Sequence, residues 1–360
     1  MASTVAVVGG GVIGLSCAWR AASAGYPVTV YDPAPGSGAS HVAGGMLAPV
    51  TEAVPVEPDV LALGEASLRC WPGFAAELRA AATDPRLRAV GTLAVALDPG
   101  DRAELDRVGE QLTRMGRPAE MLSGRQVRRL EPALGPQVCQ ALSVPGDLSV
   151  DNRALLNALL AACRRAGVRF QGERCAQLPA AEVVILAAGV HSAALHPALA
   201  GVIRPVKGEI LRLRCRPGAL APPSRTVRGI VGGRTCYLVP RDGGRLVLGA
   251  TQREAGFDTE VTAGGVRELL TDSECVLPAI AEYILDEAAA GLRPGSPDNL
   301  PVIGELEPGV LAATGHHRHG ILLAPLTAEA ILALLRGEAV PDEVRPATPA
   351  RLVGCARSAP

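Results

Sequence analysis

The first 32 residues place apolar runs and small residues in the order strand, tight turn, helix, strand. Thr4–Val8 is a short β-branched run that predicts a strand, and the glycines at 9–11 predict a turn. Val12–Ala24 carries small and apolar residues at helical spacing, and Gly25 closes it. Val28–Tyr31 predicts a second strand. This opening is typical of the βαβ unit of a nucleotide-binding domain.

The pattern then becomes mainly helical, after a glycine-rich loop over Pro33–Pro49. Apolar residues at helical spacing predict helices at Asp59–Ala82, Asp101–Met115 and Asn152–Ala166, the last with Asp151 as N-cap and Gly167 as its stop. Glu182–Leu186 has the continuous apolar character of a buried strand.

From Arg204 to Thr251 apolar and polar residues alternate, which is typical of antiparallel strands. The predicted strands are Gly208–Cys215, Thr235–Pro240 and Arg245–Gly249, with a turn at Asp242-Gly243. The elements predicted after them are a helical region at Ala263–Ala290, a loop at Gly291–Gly304, a strand at Val310–Ala313 and a closing helix at Thr327–Leu335.

These elements predict an α/β fold, α+β overall, with two domains. A Rossmann-like domain is built from the separated segments 1–85, 146–205 and 286–340, and an antiparallel-sheet substrate domain, 86–145 and 206–285, is inserted between them. Residues 341–360 are rich in Pro, Arg and Ala and are predicted to be a poorly ordered tail.

Composition excludes several classes of protein. Apolar residues make up 48% of the chain, too many for a disordered protein, while nine aromatic residues in 360 are too few for a platform that stacks single-stranded nucleic acid. A net charge of −1 creates no field that would attract DNA or an anionic membrane. Every long apolar run is interrupted, so no membrane span is expected. The 9 cysteines are scattered and form no C-x-x-C pair, which favours reduced thiols and a cytoplasmic location.

The motif Gly9-x-Gly11-x-x-Gly14 lies between the first strand and the first helix. The first glycine permits the turn, the second lets the backbone approach a pyrophosphate, and the third allows close packing of helix on strand. Asp32 follows at the distance expected for a carboxylate that binds ribose. The long Gly/Ser/Ala loop that comes next favours a flavin dinucleotide over a nicotinamide dinucleotide. The alternative to a dinucleotide site is a purely structural turn followed by a surface Asp.

Four further blocks carry a family resemblance. They are G-A-S-H-V-A-G-G-M-L-A-P at 38–49, C-Y-L-V-P-R at 236–241 followed by G-A-T at 249–251, G-L-R-P at 291–294, and T-G-H-H-R-H-G-I-L-L-A-P at 314–325. In this order, and over nearly the whole chain, the sequence resembles the glycine oxidase branch of the D-amino-acid oxidase superfamily, FAD enzymes associated with thiamin biosynthesis.

The resemblance implies a noncovalent FAD. The residues it assigns to FAD are Gly9, Gly11, Val12, Ile13, Gly14, Asp32, Pro33, Ala39, Ser40, Gly44, Gly45, Met46, Ala176, Gly189, His316, His317, Arg318, His319, Gly320, Ile321 and Leu322. Backbone amides of the Gly44–Met46 segment would lie along the isoalloxazine edge, where they can stabilise negative charge on the reduced ring.

The same resemblance assigns the substrate carboxylate to Arg293, aided by Tyr237 and Arg318. A planar guanidinium holds a carboxylate through two parallel hydrogen bonds, so the chemistry is suitable. The chain departs from the family at Gln252, where an apolar residue such as Met is expected, and this predicts a more polar pocket wall.

Three histidines, His316, His317 and His319, invite a metal interpretation, but ligands this close on one segment have poor geometry, so no metal is expected. The function that the resemblance implies is oxidative deamination of glycine to glyoxylate, ammonia and H₂O₂, with O₂ as electron acceptor. The alternatives are oxidation of sarcosine or a small D-amino acid, and a non-catalytic flavoprotein partner. We expect a homo-oligomer that passes its imine product to a thiazole synthase, with no nucleic acid or membrane partner.

Overall fold

The computed structural model of the protein describes residues 3–52 and 57–352. Its strands, in chain order, are β1 Val5–Val8, β2 Val28–Tyr31, β3 Met46–Leu47, β4 Leu87–Arg88, β5 Thr92–Ala96, β6 Glu120–Ser123, β7 Gln140–Val144, β8 Leu148–Val150, β9 Arg169–Gln171, β10 Val183–Leu186, β11 Arg204–Arg214, β12 Thr226–Val231, β13 Arg234–Arg241, β14 Arg245–Gly249, β15 Ile284–Gly295, β16 Val302–Glu307 and β17 Val310–Thr314. Its α-helices are α1 Val12–Ser23, α2 Ala39–Val42, α3 Pro58–Ala81, α4 Pro99–Arg114, α5 Gly124–Leu130, α6 Asn152–Arg165, α7 Ser192–Leu195, α8 Ala263–Val276 and α9 Gly320–Leu335.

The first sheet has the strand order β16-β17-β10-β1-β2-β9 and is parallel except for β16. β1 has β2 on one side and β10 on the other, so the winding of the chain reverses beside β1. In open α/β sheets, ligands bind in the crevice that such a reversal leaves at the carboxyl ends of the strands. The site is therefore expected where β1 ends.

The second sheet has the order β15-β11-β14-β13-β12-β5-β7-β6 and is antiparallel except for the pairing of β12 with β5. Its longest ladder joins β11 to β15 from Arg204↔Gly295 to Arg214↔Ile284. One mainly parallel sheet and one mainly antiparallel sheet confirm the predicted fold class.

The core of the parallel sheet is built by α1, α3, α6 and α9. By length and composition, the stretch His317–Leu335, with a mean hydropathy of 1.4, is the one helix of the described ranges apolar enough to cross a membrane. In the fold, 61% of that stretch is buried, and α9 packs against α1 and α3. A helix that is apolar on all sides is typical of this central position.

Several predicted elements are confirmed with nearly the same bounds. The opening strand–turn–helix–strand unit is present, and the strand Arg245–Gly249 matches residue for residue. Asp151 caps α6, where its side chain accepts hydrogen bonds from the backbone N–H groups of Arg153 and Ala154. The elements that local pattern predicts correctly are those with a clear cap or a strict period.

The helix predicted over Ala263–Ala290 ends at Val276; a short 3-10 helix, Pro278–Glu282, follows, and from Ile284 the chain forms β15. The loop predicted over Gly291–Gly304 is wrong at both ends, since β15 continues to Gly295 and β16 begins at Val302. Alanine and glutamate favour a helix by only a few tenths of a kcal/mol (~0.5) per residue, and the ladder with β11 outweighs that preference. Residues 286–295 therefore pair within the second sheet, although the predicted boundary assigned them to the Rossmann-like domain.

The closing helix begins at Gly320, earlier than the predicted Thr327. The poorly ordered tail predicted after position 340 is wrong for residues 342–352. Asp342–Ala347 is a 3-10 helix whose Val344 and Ala347 are fully buried in the core of the parallel sheet. Apolar contacts with that core outweigh a composition typical of loops. The remainder, 353–360, lies outside the described residues.

The structure also contains a buried carboxyl group, that of Asp147, which no sequence pattern predicts. Asp147 lies in the turn between β7 and β8 with no exposed surface, and Thr51 donates a hydrogen bond of 2.7 Å to its Oδ2. Its Oδ1 has no partner among the described residues. Burial raises the pKa of Asp147 to about 7 against the opposing effects of Thr51 and the Arg228 guanidinium. The folded state therefore holds a proton that the unfolded chain releases at much lower pH.

Gly14→Ala should destabilise the fold, because a Cβ there would lie 1.9 Å from the carbonyl oxygen of Gly9. We expect a loss of about 1–3 kcal/mol in the free energy of unfolding, measured by urea denaturation of the apoprotein. Gly11→Ala is the matched control, since its Cβ would meet only Ser40 Oγ at 3.3 Å. Equal losses in both variants would contradict this account of the turn.

Asp147→Asn should stabilise the protein more at high pH than at low pH. A folded pKa near 7 and an ordinary value of 3.8 mean that the contribution of Asp147 is favourable at low pH and is lost as the pH rises through 7. Asparagine mimics the neutral acid, so the stabilisation relative to wild type should be about 2–3 kcal/mol greater at about pH 8 than at about pH 5. Urea denaturation at both pH values measures it, and a pH-independent difference would show that Asp147 is ionised in the fold.

Candidate active site at the carboxyl end of β1

The turn between β1 and α1 allows backbone segments to touch. Gly9 has a φ of +108°, and a Cβ on it would lie 2.3 Å from the carbonyl oxygen of Ala187, which follows β10. Gly14 brings α1 against the carbonyl of Gly9 in the same way. Both positions require glycine, since any side chain would separate α1 or β10 from the end of β1. The turn therefore presents the N-terminus of α1 to the crevice, where an anion is stabilised.

Asp32 orders this turn from the end of β2. Its Oδ2 accepts a hydrogen bond of 2.7 Å from the amide of Gly10, and its Oδ1 accepts one of 2.8 Å from the amide of Ala34. A carboxylate has further lone pairs, so these contacts are compatible with binding ribose hydroxyls. At the start of α1, Ser40 Oγ accepts from the amide of Val12 at 3.0 Å.

A cavity of about 570 Å³ extends from this turn to the second sheet. The predicted site residues in its wall are Gly9, Gly11, Val12, Ile13, Asp32, Pro33, Ala39, Ser40, Gly44, Gly45, Met46, Gly189, Tyr237, Arg293, His316, His317, Arg318, Gly320 and Ile321. The predicted residues outside its wall are Gly14, Ala176, His319 and Leu322. One cavity thus brings together residues from six separate parts of the chain.

The residues outside the wall have identifiable places in the fold. Gly14 serves helix packing, and the cavity is lined by Glu173–Cys175 rather than by Ala176. The carbonyl of Leu322 accepts hydrogen bonds from Ser67 Oγ at 2.7 Å and from Trp71 Nε1 at 2.9 Å. Leu322 therefore fixes α9 to α3 behind the wall.

The Gly44–Met46 segment is held close to the second sheet. Gly45 has a φ of +73°, and its carbonyl accepts a hydrogen bond of 2.8 Å from Val150. The carbonyl of Gly44 accepts one of 2.5 Å from Arg241, a buried arginine whose pKa is lowered to about 10 by desolvation. A Cβ on Gly44 would lie 2.8 Å from the ring of Tyr237. Both positions therefore require glycine, because a side chain would collide with Tyr237 at position 44 and with the Val150 carbonyl at position 45.

Tyr237 lies in β13, directly opposite Gly249 of β14. Its ring covers that glycine, because a Cβ on Gly249 would lie 2.2 Å from the Tyr237 hydroxyl. Burial raises the pKa of Tyr237, and the Arg293 guanidinium opposes that rise, so the phenol is protonated at neutral pH. It can donate a hydrogen bond to an oxygen bound near Arg293.

Arg293 extends from β15 across the face of β11. Its guanidinium lies over Gly208, where a Cβ would be 2.4 Å from Cζ, and its Nη1 donates a hydrogen bond of 3.2 Å to the carbonyl of Thr251. No carboxylate of residues 3–52 or 57–352 forms an ion pair with it. The remaining N–H donors of this half-buried cation are therefore available to a ligand anion.

Arg318 differs from Arg293 in having protein partners. Its Nη2 lies 3.6 Å from Glu57 Oε2 and 3.5 Å from the carbonyl oxygen of Glu52, and its Nε donates to His319 at 3.2 Å. Because these contacts occupy several of its N–H donors, the Arg318 guanidinium has fewer donors left for a ligand anion. Of the two predicted carboxylate-binding arginines, Arg293 has the more suitable geometry.

The three histidines of this segment are buried and neutral. Desolvation lowers the pKa of His316 and of His317 to about 3, and that of His319 to about 4. His316 Nε2 lies 3.0 Å from Thr327 Oγ1, which fixes its ring to α9. In the described part of the chain, no three His, Cys, Asp or Glu side chains are arranged to hold a metal ion.

Sequence reasoning missed some residues of the wall, among them Glu52, His191 and Thr259. Glu52 follows the 38–49 block and lies 3.8 Å from the Arg228 guanidinium, a contact for which the sequence has no signal. The expectation that Gln252 makes the wall more polar is wrong, because this residue is exposed and outside the wall. The chain turns away from the cavity directly after Thr251 and continues beside β11, where Arg253 pairs with Lys207.

The wall fits an FAD molecule. The glycine turn and the N-terminus of α1 suit a diphosphate, and the close backbone of Gly44 and Gly45 suits the edge of a flat ring system. Arg293 and Tyr237 then lie on the substrate side of the same cavity.

Comparisons with known proteins agree with this geometry. The profile of the DAO family, described as FAD dependent oxidoreductase, matches residues 4–334. The chain is 32% identical to the glycine oxidase of Geobacillus kaustophilus over 97% of both proteins. It is 30% identical to the bifunctional protein ThiO/ThiG of a Nostoc species. That match covers 93% of this chain but only 53% of the longer relative.

The fold agrees as well. The crystal structure of glycine oxidase from Geobacillus kaustophilus superposes with a TM-score of 0.88 at 31% identity, and the match covers 96% of this chain and 98% of that one. The chain therefore belongs to the DAO family and is an FAD-dependent oxidoreductase.

Proposed function

We propose that this chain is a glycine oxidase, which converts glycine through its imine to glyoxylate and ammonia while O₂ is reduced to H₂O₂. The observation that carries the proposal is the Arg293 guanidinium, a cation in the cavity wall with no acidic partner in the described ranges. The relatives named glycine oxidase support the same assignment.

Arg293 and Tyr237 would hold the substrate carboxylate. A guanidinium fixed over Gly208 offers two parallel N–H donors to the two carboxylate oxygens, and the protonated phenol of Tyr237 adds a third donor. Because the carboxylate is held at one point, Cα and the amine are oriented toward the Gly44–Met46 side of the cavity.

The surroundings favour a small substrate with an unprotonated amine. Ile210, Met46 and Val42 line the cavity and pack in one apolar cluster with Tyr237. An apolar wall disfavours the charged ammonium form, so it promotes loss of a proton before oxidation. FAD, when bound, accepts two electrons from the substrate and passes them to O₂.

Sarcosine and small D-amino acids are the nearest alternatives, since both carry the carboxylate that Arg293 would bind. A structural neighbour with 26% identity and a TM-score of 0.85 is an iminodiacetate oxidase, a protein named for a secondary amine. Glycine is the proposed substrate because relatives named glycine oxidase match nearly the full chain. Gln252 does not affect this choice, since it lies outside the cavity wall.

The product, the cellular location and the oligomeric state of the protein are part of the same proposal. The ThiO/ThiG relatives join a protein similar to this chain to a second protein, which supports transfer of the imine to a thiazole synthase. We propose that the chain acts in the cytoplasm as a homo-oligomer. Burial raises the pKa of Cys17, Cys163 and Cys236 to about 12, so these thiols stay protonated and unreactive, as suits a reducing compartment.

The flavin should be bound noncovalently. We expect a yellow protein whose FAD passes into the supernatant when the polypeptide is precipitated by acid or heat. The measurement is the absorption spectrum of the supernatant and of the redissolved pellet. Flavin that remains with the pellet would contradict noncovalent binding.

Loss of Arg293 should distinguish amines with a carboxylate from those without one. Truncation of one partner of a buried charged pair costs about 2–5 kcal/mol, which is roughly 30- to several-thousand-fold in kcat/KM for glycine in Arg293→Ala. Arg293→Lys should recover part of it, because an ammonium lacks the two-pronged contact. Steady-state peroxide production on glycine and on a simple alkylamine measures both effects.

The matched control is Arg253→Ala, which removes an exposed arginine paired with Glu268 and should leave both activities unchanged. Flavin content is determined first in every variant, because lost cofactor would imitate lost substrate binding. Equal losses on both amines in Arg293→Ala would refute the carboxylate assignment.

A further inference from the structure

Two buried charged residues lie behind Arg293, on the opposite face of β11. Lys207 is 2% exposed and Glu209 is fully buried, and the residue between them is Gly208, which supports the Arg293 guanidinium. Lys207 Nζ lies 3.7 Å from Glu209 Oε1 and 2.5 Å from Asp258 Oδ2. A buried ion pair contributes little net stability, because desolvation offsets the attraction, so its placement calls for another explanation.

The Glu209 carboxylate joins β11 to the segment 251–262. Its Oε1 accepts a hydrogen bond of 2.9 Å from the amide of Thr262, the N-cap of α8, and its Oε2 accepts one of 3.3 Å from Thr251 Oγ1. The carboxylate thus lies at the N-terminus of a 14-residue helix, which favours its negative charge. A Cβ on Gly265 would lie 1.6 Å from Oε2, so the first turn of α8 is shaped around this group.

Thr251 makes three contacts with Glu209. Its amide donates to the Glu209 carbonyl at 3.2 Å, its Oγ1 accepts from the Glu209 amide at 2.9 Å, and the same Oγ1 donates to the carboxylate. The peptide carbonyl of Thr251 in turn accepts the hydrogen bond from Arg293 Nη1. Glu209 thus holds the residue whose carbonyl contacts Arg293, while the backbone pairing of Arg253 with Lys207 holds the residues that follow it.

We propose that Glu209, supported by Lys207, is a positioning residue that acts through Thr251 to fix the Arg293 guanidinium for the substrate carboxylate. Gly208 limits the guanidinium from below and the Thr251 carbonyl orients it from one side, so the remaining donors face the cavity as a pair. The inference rests on the proposed function, because it assumes that Arg293 binds a carboxylate.

The test measures the binding of acetate to the oxidised holoenzyme, which is monitored through the change in flavin absorption that acetate causes. Thr251→Val removes the hydroxyl with little change in volume and should raise the acetate Kd about ten-fold, the effect expected from a lost orienting hydrogen bond to a charged group. Thr251→Ser should restore most of the affinity, and Glu209→Gln should weaken binding in the same direction as Thr251→Val.

KM for glycine should follow the acetate Kd, while kcat at saturation and FAD content stay within about two-fold of wild type. A loss of general stability would lower FAD content and kcat together, so this split separates positioning from a merely structural role. Glu254→Gln is the control, since Glu254 is exposed on the same segment and pairs with Arg204.

Unchanged acetate affinity in Thr251→Val and Glu209→Gln, with affinity lost in Arg293→Lys, would overturn the inference and leave the proposed function intact. If Glu209→Gln fails to fold, the comparison of Thr251→Val with Thr251→Ser decides alone. Unchanged affinity in Arg293→Lys as well would instead overturn the carboxylate assignment on which the proposed function depends.

Discussion

Close approach of backbone to backbone at the carboxyl end of β1 is the constraint on which the rest of the structure depends. The carbonyl of Gly9 lies where a Cβ of Gly14 would be, and the Cα of Gly9 faces the carbonyl of Ala187. These contacts place the N-terminus of α1 and the end of β10 side by side. The crevice between them is suited to a diphosphate.

A second close approach defines the substrate side. The Tyr237 ring packs on Gly249 and reaches Gly44, and the Arg293 guanidinium packs on Gly208. In each case a large side chain takes the space that a glycine leaves, so the second sheet presents a hydroxyl and a cation instead of a flat apolar face. The two sheets thus contribute different groups to one cavity, the glycine turn and the N-terminus of α1 from the first and a phenol hydroxyl and a guanidinium from the second.

The charges of the cavity follow from burial and pairing together. Arg318 is paired with Glu57, and three histidines lose their charge on desolvation, so they add no net field near the cofactor. Arg293 has no carboxylate partner in the described ranges, and the Thr251 carbonyl accepts from only one of its donors. An unpaired, half-buried cation is costly to a fold unless a ligand completes it. This asymmetry between the two arginines favours Arg293 as the substrate-binding residue.

The sequence by itself determined the opening βαβ unit, the capped helix α6 and the strand Arg245–Gly249, because glycine turns, an Asp N-cap and strict alternation act over a few residues. Family resemblance assigned many residues of the wall, including Arg293 and Tyr237, but fewer than half of those that line it. Only the tertiary structure decided that Ala-rich residues 284–295 form an edge strand, that residues 342–352 pack on the core, and that Glu52 lines the cavity. The physical reason is the distance along the chain over which the stabilising interactions act. Cross-strand pairing and burial join residues far apart in the chain, and these non-local energies exceed the local preferences that a sequence pattern records.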